Sequence, residues 1–221
     1  MSPALVPGTP ALLYFAYGAN MASATLRKRL VTQLAAQPAV LEDPSLVLSF
    51  GHRGGYATVV LAPPSSGRGL AAEPPRAAAP QLWRSPVHGV LYSLRPEDLQ
   101  RLQRWEVGYR RAELAVRTYD GRRHPAATVF QSSPLLRLRA PVPPARRYLA
   151  LLLAGAREGG LAAEHLAWLE ALEGVAVQPS ALGAAEYSDT PAESLARGLG
   201  AAALLGASTW AALAAQPQPP P

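Results

Sequence analysis

The chain has 221 residues and no cysteine. That absence removes disulfides, thiolate nucleophiles, iron–sulfur clusters and cysteine-based zinc sites together, so its chemistry must rest on oxygen and nitrogen groups. Histidine is scarce too. His52, His88, His124 and His165 never adopt the HxxxH or HExxH spacing that sets two ligands on one helix face, and no metal is expected. Lysine occurs once, at Lys28, so the formal charge of +6 is carried by arginine. The arginines are spread from Arg27 to Arg197, often as exposed-looking doublets (Arg110-Arg111, Arg122-Arg123, Arg146-Arg147), without the interleaved aromatics of single-strand binders. Such a surface favours small anionic substrates, and nucleic acid is not expected. No basic segment followed by an apolar stretch and a small-residue cleavage site opens the sequence, which makes the cytoplasm or an organelle interior the expected compartment. One uncharged run, Gly198 to Ala215, is mostly Ala and Gly; it is expected to be a docked terminal helix, with a membrane anchor as the lesser alternative.

Of what is present, 49% is apolar, but much of this is Ala, which buries little area. The 23 prolines cluster at 62 to 86, 134 to 144 and 216 to 221, marking loops and tails. The expected organisation is a tail (1–11), one catalytic domain (12–175) with a flexible insertion at 62–86, and an extension (176–221) carrying the apolar helix and a Pro-rich end. The run Leu12 to Tyr17 reads as a buried strand entering a tight turn at Gly18-Ala19-Asn20. Ser23 is then placed to cap a helix over Ala24 to Ala36, with Leu26, Leu30 and Leu34 on one face. Strands are expected at Leu46 to Phe50, Ala57 to Leu61 and Val87 to Leu94, a short helix from Pro96 to about Arg104, and a hairpin around Asp120-Gly121. Two helices, Ala145 to Glu158 and Ala162 to Leu172, follow with Gly159-Gly160 as the stop. This pattern predicts an α+β domain whose mixed sheet closes, or nearly closes, into a small barrel surrounded by helices.

Two segments carry candidate chemistry. In Tyr14-Phe15-Ala16-Tyr17-Gly18-Ala19-Asn20-Met21 the glycine permits close ligand approach, and successive N–H groups suit a carboxylate. In the second, Glu106 stands just beyond the short helix between Trp105, Val107 and Tyr109, an apolar setting for a carboxyl that takes and returns a proton. Glu97 and Asp98 are first-turn charges of that helix.

The first segment resembles the YGSN-type signature of the gamma-glutamylcyclotransferase family. Three further stretches agree in order: Gly54-Gly55-Tyr56-Ala57-Thr58-Val59 resembles the family's GGxAT strand, His88 to Leu94 the strand leading to the acid, and Gly155-Ala156-Arg157-Glu158-Gly159-Gly160-Leu161 its GAxExGL helix ending. The resemblance implies that the main chain of Tyr14, Phe15, Ala16, Tyr17, Gly18, Ala19 and Asn20 holds substrate. It implies Glu106 as general base and then acid, Tyr109 and Tyr148 lining the pocket, and no cofactor. The implied reaction is that of a carbon–nitrogen lyase, cyclising gamma-glutamyl amino acids or gamma-glutamyl amines to 5-oxoproline with release of the amine, and the implied setting is glutathione metabolism. A homodimer is also open. Ala19 stands where the signature often has Ser, so a hydroxyl is missing while the N–H stays. The alternative is a non-catalytic binding or scaffold member of the same fold, and the discriminator is whether Glu106 faces the Tyr17 to Asn20 turn.

Overall fold

The computed structural model describes residues 11–62 and 81–176, all within one compact unit. The 1–10 tail, residues 63–80 of the Pro-rich stretch and everything from 177 onward, including the 198–215 run, lie outside the described residues.

The first apolar run forms β1 (Leu12–Ala16), followed by a single 3-10 turn at Ala19–Met21 and a short helix, α1 (Ser23–Lys28). Here the sequence reading needs correction. The helix expected over Ala24 to Ala36 stops at Lys28, and Gln33–Leu41 is a strand, β2. Leu30 takes a left-handed conformation with φ 57, which ends the helix, and of the supposed apolar face only Leu26 is buried, Leu30 being 73% exposed. Pro38 could not sit inside a helix; in β2 it falls just before the β7 register begins at Ala39, where a missing N–H is tolerated. Ser23 is not the cap either, since Ala22 holds that position and Ser23 is the first helical residue.

Strands β3 (Leu46–His52) and β4 (Tyr56–Leu61) join at Gly54 and Gly55, whose φ values of 84 and 73 only glycine adopts freely. With β5 (Trp83–Arg84), a short strand the sequence did not signal, they make a sheet of order β4-β3-β5. The rest of the chain supplies β6 (His88–Leu94), α2 (Pro96–Gln103), β7 (Tyr109–Thr118), β8 (Arg123–Ser132), α3 (Arg146–Glu158) and α4 (Ala163–Ala171).

Five strands close into a barrel in the order β1-β6-β2-β7-β8. All neighbours are antiparallel except β1 and β8, which meet in parallel at Tyr14 and Thr128. The α+β architecture with a closed small barrel is therefore the one the strand pattern predicted. Its core includes Phe15, Phe50, Leu48, Leu94, Leu102, Leu152 and Leu169, all fully buried. Each such side chain contributes about 1.5–3 kcal/mol by leaving water.

Two helices then position the site. In α2, Pro96 opens the helix, Glu97 and Asp98 lie in its first turn, and Leu99 and Leu102 fix its buried face. Beyond it the chain turns through Trp105 N–H to Leu102 O (2.9 Å) and Tyr109 N–H to Glu106 O (3.1 Å), which sets Glu106 in the link to β7. Helix α3 presses on the Gly18 to Met21 turn through Gly155, where an added Cβ would lie 2.6 Å from Ala22 N and 2.7 Å from Met21 Cβ.

Candidate active site

Glu106 and the turn face one another. The Glu106 Oε1 atom accepts hydrogen bonds from Asn20 Nδ2 and from the Arg29 guanidinium, each at 2.8 Å. The second hydrogen of Asn20 Nδ2 goes to the Tyr14 hydroxyl at 2.8 Å. An ionised carboxylate only accepts, so these two bonds fix the Asn20 amide with its nitrogen toward Glu106 and Tyr14. Asn20 Oδ1 is buried and has no partner among the described residues, and Glu106 Oε2 likewise has no hydrogen-bond partner there. One oxygen of the carboxylate is thus anchored and the other left available. The Arg29–Glu106 pair is largely shielded, with side-chain exposures of 21% and 13%, and the guanidinium lies over Trp105, 5.4 Å from the ring centroid.

The surrounding tyrosines are held by backbone. Tyr148 O–H accepts Ala57 N–H (3.1 Å) and Tyr109 O–H donates to Ala57 O (2.9 Å), so two phenols grip both polar groups of one residue in β4. Tyr109 stacks on His52 with ring centroids 4.3 Å apart, and Tyr148 meets Tyr56 edge-on at 5.0 Å. Tyr17 O–H donates to Phe130 O, and Thr58 Oγ1 accepts Ser132 N–H at 2.9 Å. The stretch that resembles a GGxAT strand therefore connects Tyr109 and Tyr148 to β8.

The turn is supported from behind by the GAxExGL-like ending. Besides Gly155, Glu158 Oε2 accepts the free N–H of Ser23 at the start of α1 (3.1 Å), and an added Cβ at Gly18 would lie 3.1 Å from the Tyr148 hydroxyl. Negative charge at a helix start is favourable, which suits Glu158 to that place.

Burial, above all, raises the proton affinity of the Tyr14, Tyr17, Tyr109 and Tyr148 hydroxyls, and the Glu106 charge pushes each the same way. These phenols therefore stay protonated.

The structure brings together Tyr14, Tyr17, Gly18, Asn20, Glu106, Tyr109 and Tyr148, with half-buried Ala19 in the same turn. Phe15 differs: its ring is fully buried against Gly89 of β6, so its side chain is core. Ala16 contributes its carbonyl to the same close approach, 2.3 Å from where a Gly89 Cβ would be. Sequence reasoning missed Arg29, which lay inside a misread helix, and His52, whose stacking on Tyr109 no local pattern announces. The arginine doublets at 110–111, 122–123 and 146–147 are exposed, as their pairing suggested. Among the described residues no group of three or more His, Asp or Glu could hold a metal ion, and no helix is long and apolar enough to cross a membrane.

Residues 86–169 match the AIG2-like family. No curated protein matches the chain. Among solved structures, a gamma-glutamyl cyclotransferase superposes with a TM-score of 0.57 at 22% identity, covering 77% of this chain and 93% of that one. An uncharacterised protein from Homo sapiens gives 0.56 at 22% identity, covering 77% and 92%. YkqA from Bacillus subtilis gives 0.55 at 22% identity over 72% of this chain and 53% of its own. These likenesses are of fold.

Proposed function

From the premise that the chain is AIG2-like over residues 86–169 and has the gamma-glutamyl cyclotransferase fold, we propose that it is a gamma-glutamylcyclotransferase with Glu106 as its proton carrier. The observation that supports this reading is the Asn20–Glu106 hydrogen bond of 2.8 Å, by which the acid meets the turn.

In the reaction, Glu106 Oε2 takes a proton from the substrate's α-ammonium group. The freed amine attacks its own γ-carbonyl carbon, forming the lactam C–N bond, and Glu106 returns the proton to the leaving nitrogen as the old C–N bond breaks. The second proton shed by the cyclising nitrogen ends on the released amine, so 5-oxoproline and a free amine leave with atoms balanced. Most of the acceleration comes from holding an extended chain in a near-attack geometry. The N–H groups of Gly18, Ala19 and Asn20 supply the polar contacts of the turn, which is why Ala in place of Ser at position 19 is compatible with turnover. No cofactor enters.

Gamma-glutamyl amino acids rank first as substrates and gamma-glutamyl amines second, with a cytoplasmic enzyme of glutathione metabolism as the setting. The test is 5-oxoproline release from a panel of gamma-glutamyl compounds by the wild-type chain and Glu106→Gln. Turnover by the wild type that falls ~10²–10⁴-fold in the variant supports the reading; equal turnover removes Glu106 from the mechanism, and none by either leaves the binding-module alternative.

A further inference from the structure

Arg29 poses a charge problem. It neutralises Glu106 through one N–H, to Oε1, in a site where the two side chains are 21% and 13% exposed. In the proposed reaction Glu106 becomes neutral on taking the ammonium proton. Arg29 is then a cation without a counter-ion in a largely desolvated pocket, an expensive state. Arginine cannot shed its proton, so an anion must join it in the reactive complex.

The substrate carries one in the right place. The α-carboxylate is two bonds from the nitrogen that meets Glu106 Oε2, and Arg29 NH1 is 2.8 Å from the other oxygen of that carboxyl. The remaining guanidinium N–H groups have no acceptor among the described residues, and the Trp105 ring, 5.4 Å from Cζ, holds the guanidinium plane. Resting on the cyclotransferase reading, we propose that Arg29 binds the substrate's α-carboxylate and so restricts this site to γ-glutamyl groups bearing one. The ammonium and carboxylate of the substrate then complete an alternating set of charges with Glu106 and Arg29, and when the proton moves, the Arg29–carboxylate pair persists. The N–H groups of the turn are left to polarise the γ-carbonyl.

The test uses binding as well as turnover. Glu106→Gln, which retains shape without proton transfer, is titrated calorimetrically with γ-glutamylalanine, with its analogue amidated at the glutamyl α-carboxylate, and with γ-glutamylethylamine, which lacks only the leaving-group carboxylate. The expected result is a loss of about tenfold or more on α-amidation, and little loss for the ethylamine compound. Adding Arg29→Gln should abolish the α-amidation effect, while Arg29→Lys, which keeps charge but not the fork, should retain part of it. A preference for the α-carboxylate that survives Arg29→Gln overturns the assignment, as does sensitivity confined to the leaving-group carboxylate. Binding of none of these compounds, with no turnover by the wild type, overturns the cyclotransferase reading itself. Thermal unfolding of each variant separates loss of binding from loss of fold.

Discussion

Two of the clusters of shielded polar side chains among the described residues are treated differently. Around Glu106, the amide of Asn20, the hydroxyl of Tyr14 and the guanidinium of Arg29 form a bonded set in which one buried acceptor, Asn20 Oδ1, has no partner among the described residues. At the other, His88 and His165 lie with ring centroids 5.1 Å apart. The Tyr119 hydroxyl accepts Ala162 N–H at 3.1 Å and is hydrogen-bonded to His88 Nδ1, so the other ring nitrogen of His88 is Nε2. That nitrogen and both nitrogens of His165 have no partner among the described residues. Buried polar groups are costly unless bonded. The first cluster pairs opposite charges through hydrogen bonds, whereas the second, at α4, holds two imidazoles whose burial disfavours their charged forms.

Substitutions in the two clusters should have opposite effects on turnover and on stability. Glu106→Gln should cut 5-oxoproline release by ~10²–10⁴-fold with the melting temperature little changed. His165→Phe should leave turnover alone and alter acid stability. Burial first, then the His88 and Arg84 charges, lowers His165 to about 3, and burial lowers His88 as well. Unfolded His165 takes its proton below about pH 6.5, while folded His165 refuses it until near pH 3. Stability from this cluster is therefore full above about pH 6.5 and declines as pH falls toward 3, by about 1.4 kcal/mol per unit for one such group. Urea midpoints at pH 7.5 and 4.5 should differ less for His165→Phe than for the wild type; equal differences would count against a neutral buried imidazole.

A smaller effect is expected at Gly155. Gly155→Ala puts a methyl 2.6 Å from Ala22 N, and overpacking of this kind costs about 1–3 kcal/mol. Because the displaced element is the turn, KM for a gamma-glutamyl substrate should rise with it, and a stability loss with unchanged KM would detach α3 from the site. The smallest effect belongs to the exposed Arg157–Glu170 pair on the neighbouring surface, 2.7 Å apart. Arg157→Ala should cost ~0–1 kcal/mol and leave turnover as it was.

The parts of the fold that were legible in the sequence share a local cause. The β1 run, the Pro96 helix start, the Asp120-Gly121 hairpin and the Gly159-Gly160 stop are each set by residues within a few positions of one another. Strand β2 was not legible: its Ala-rich sequence favours helix, and only pairing with β6 and β7 makes it a strand. The same error hid Arg29. A side chain read as one more exposed position on a helix is, once Leu30 reverses the chain, directed at Glu106 from 77 positions away. Glu106 itself was legible as to place, since α2 ends where its sequence says, but its partners are long-range and no window contains them.

Helix α3 touches the turn through Gly155 and caps the following helix through Glu158, 135 positions after Ser23. The turn is synthesised long before its backing, 135 positions separating Ser23 from Glu158. A nascent chain that has already emitted β1 through β8 has every barrel strand and the acid, yet still lacks the surface that fixes the loop. Contacts this distant in sequence form late, because closing long loops costs entropy before the contacts repay it. The turn thus gains its backing only when α3 docks, and a folding defect in α3 would present as an early motif left without support.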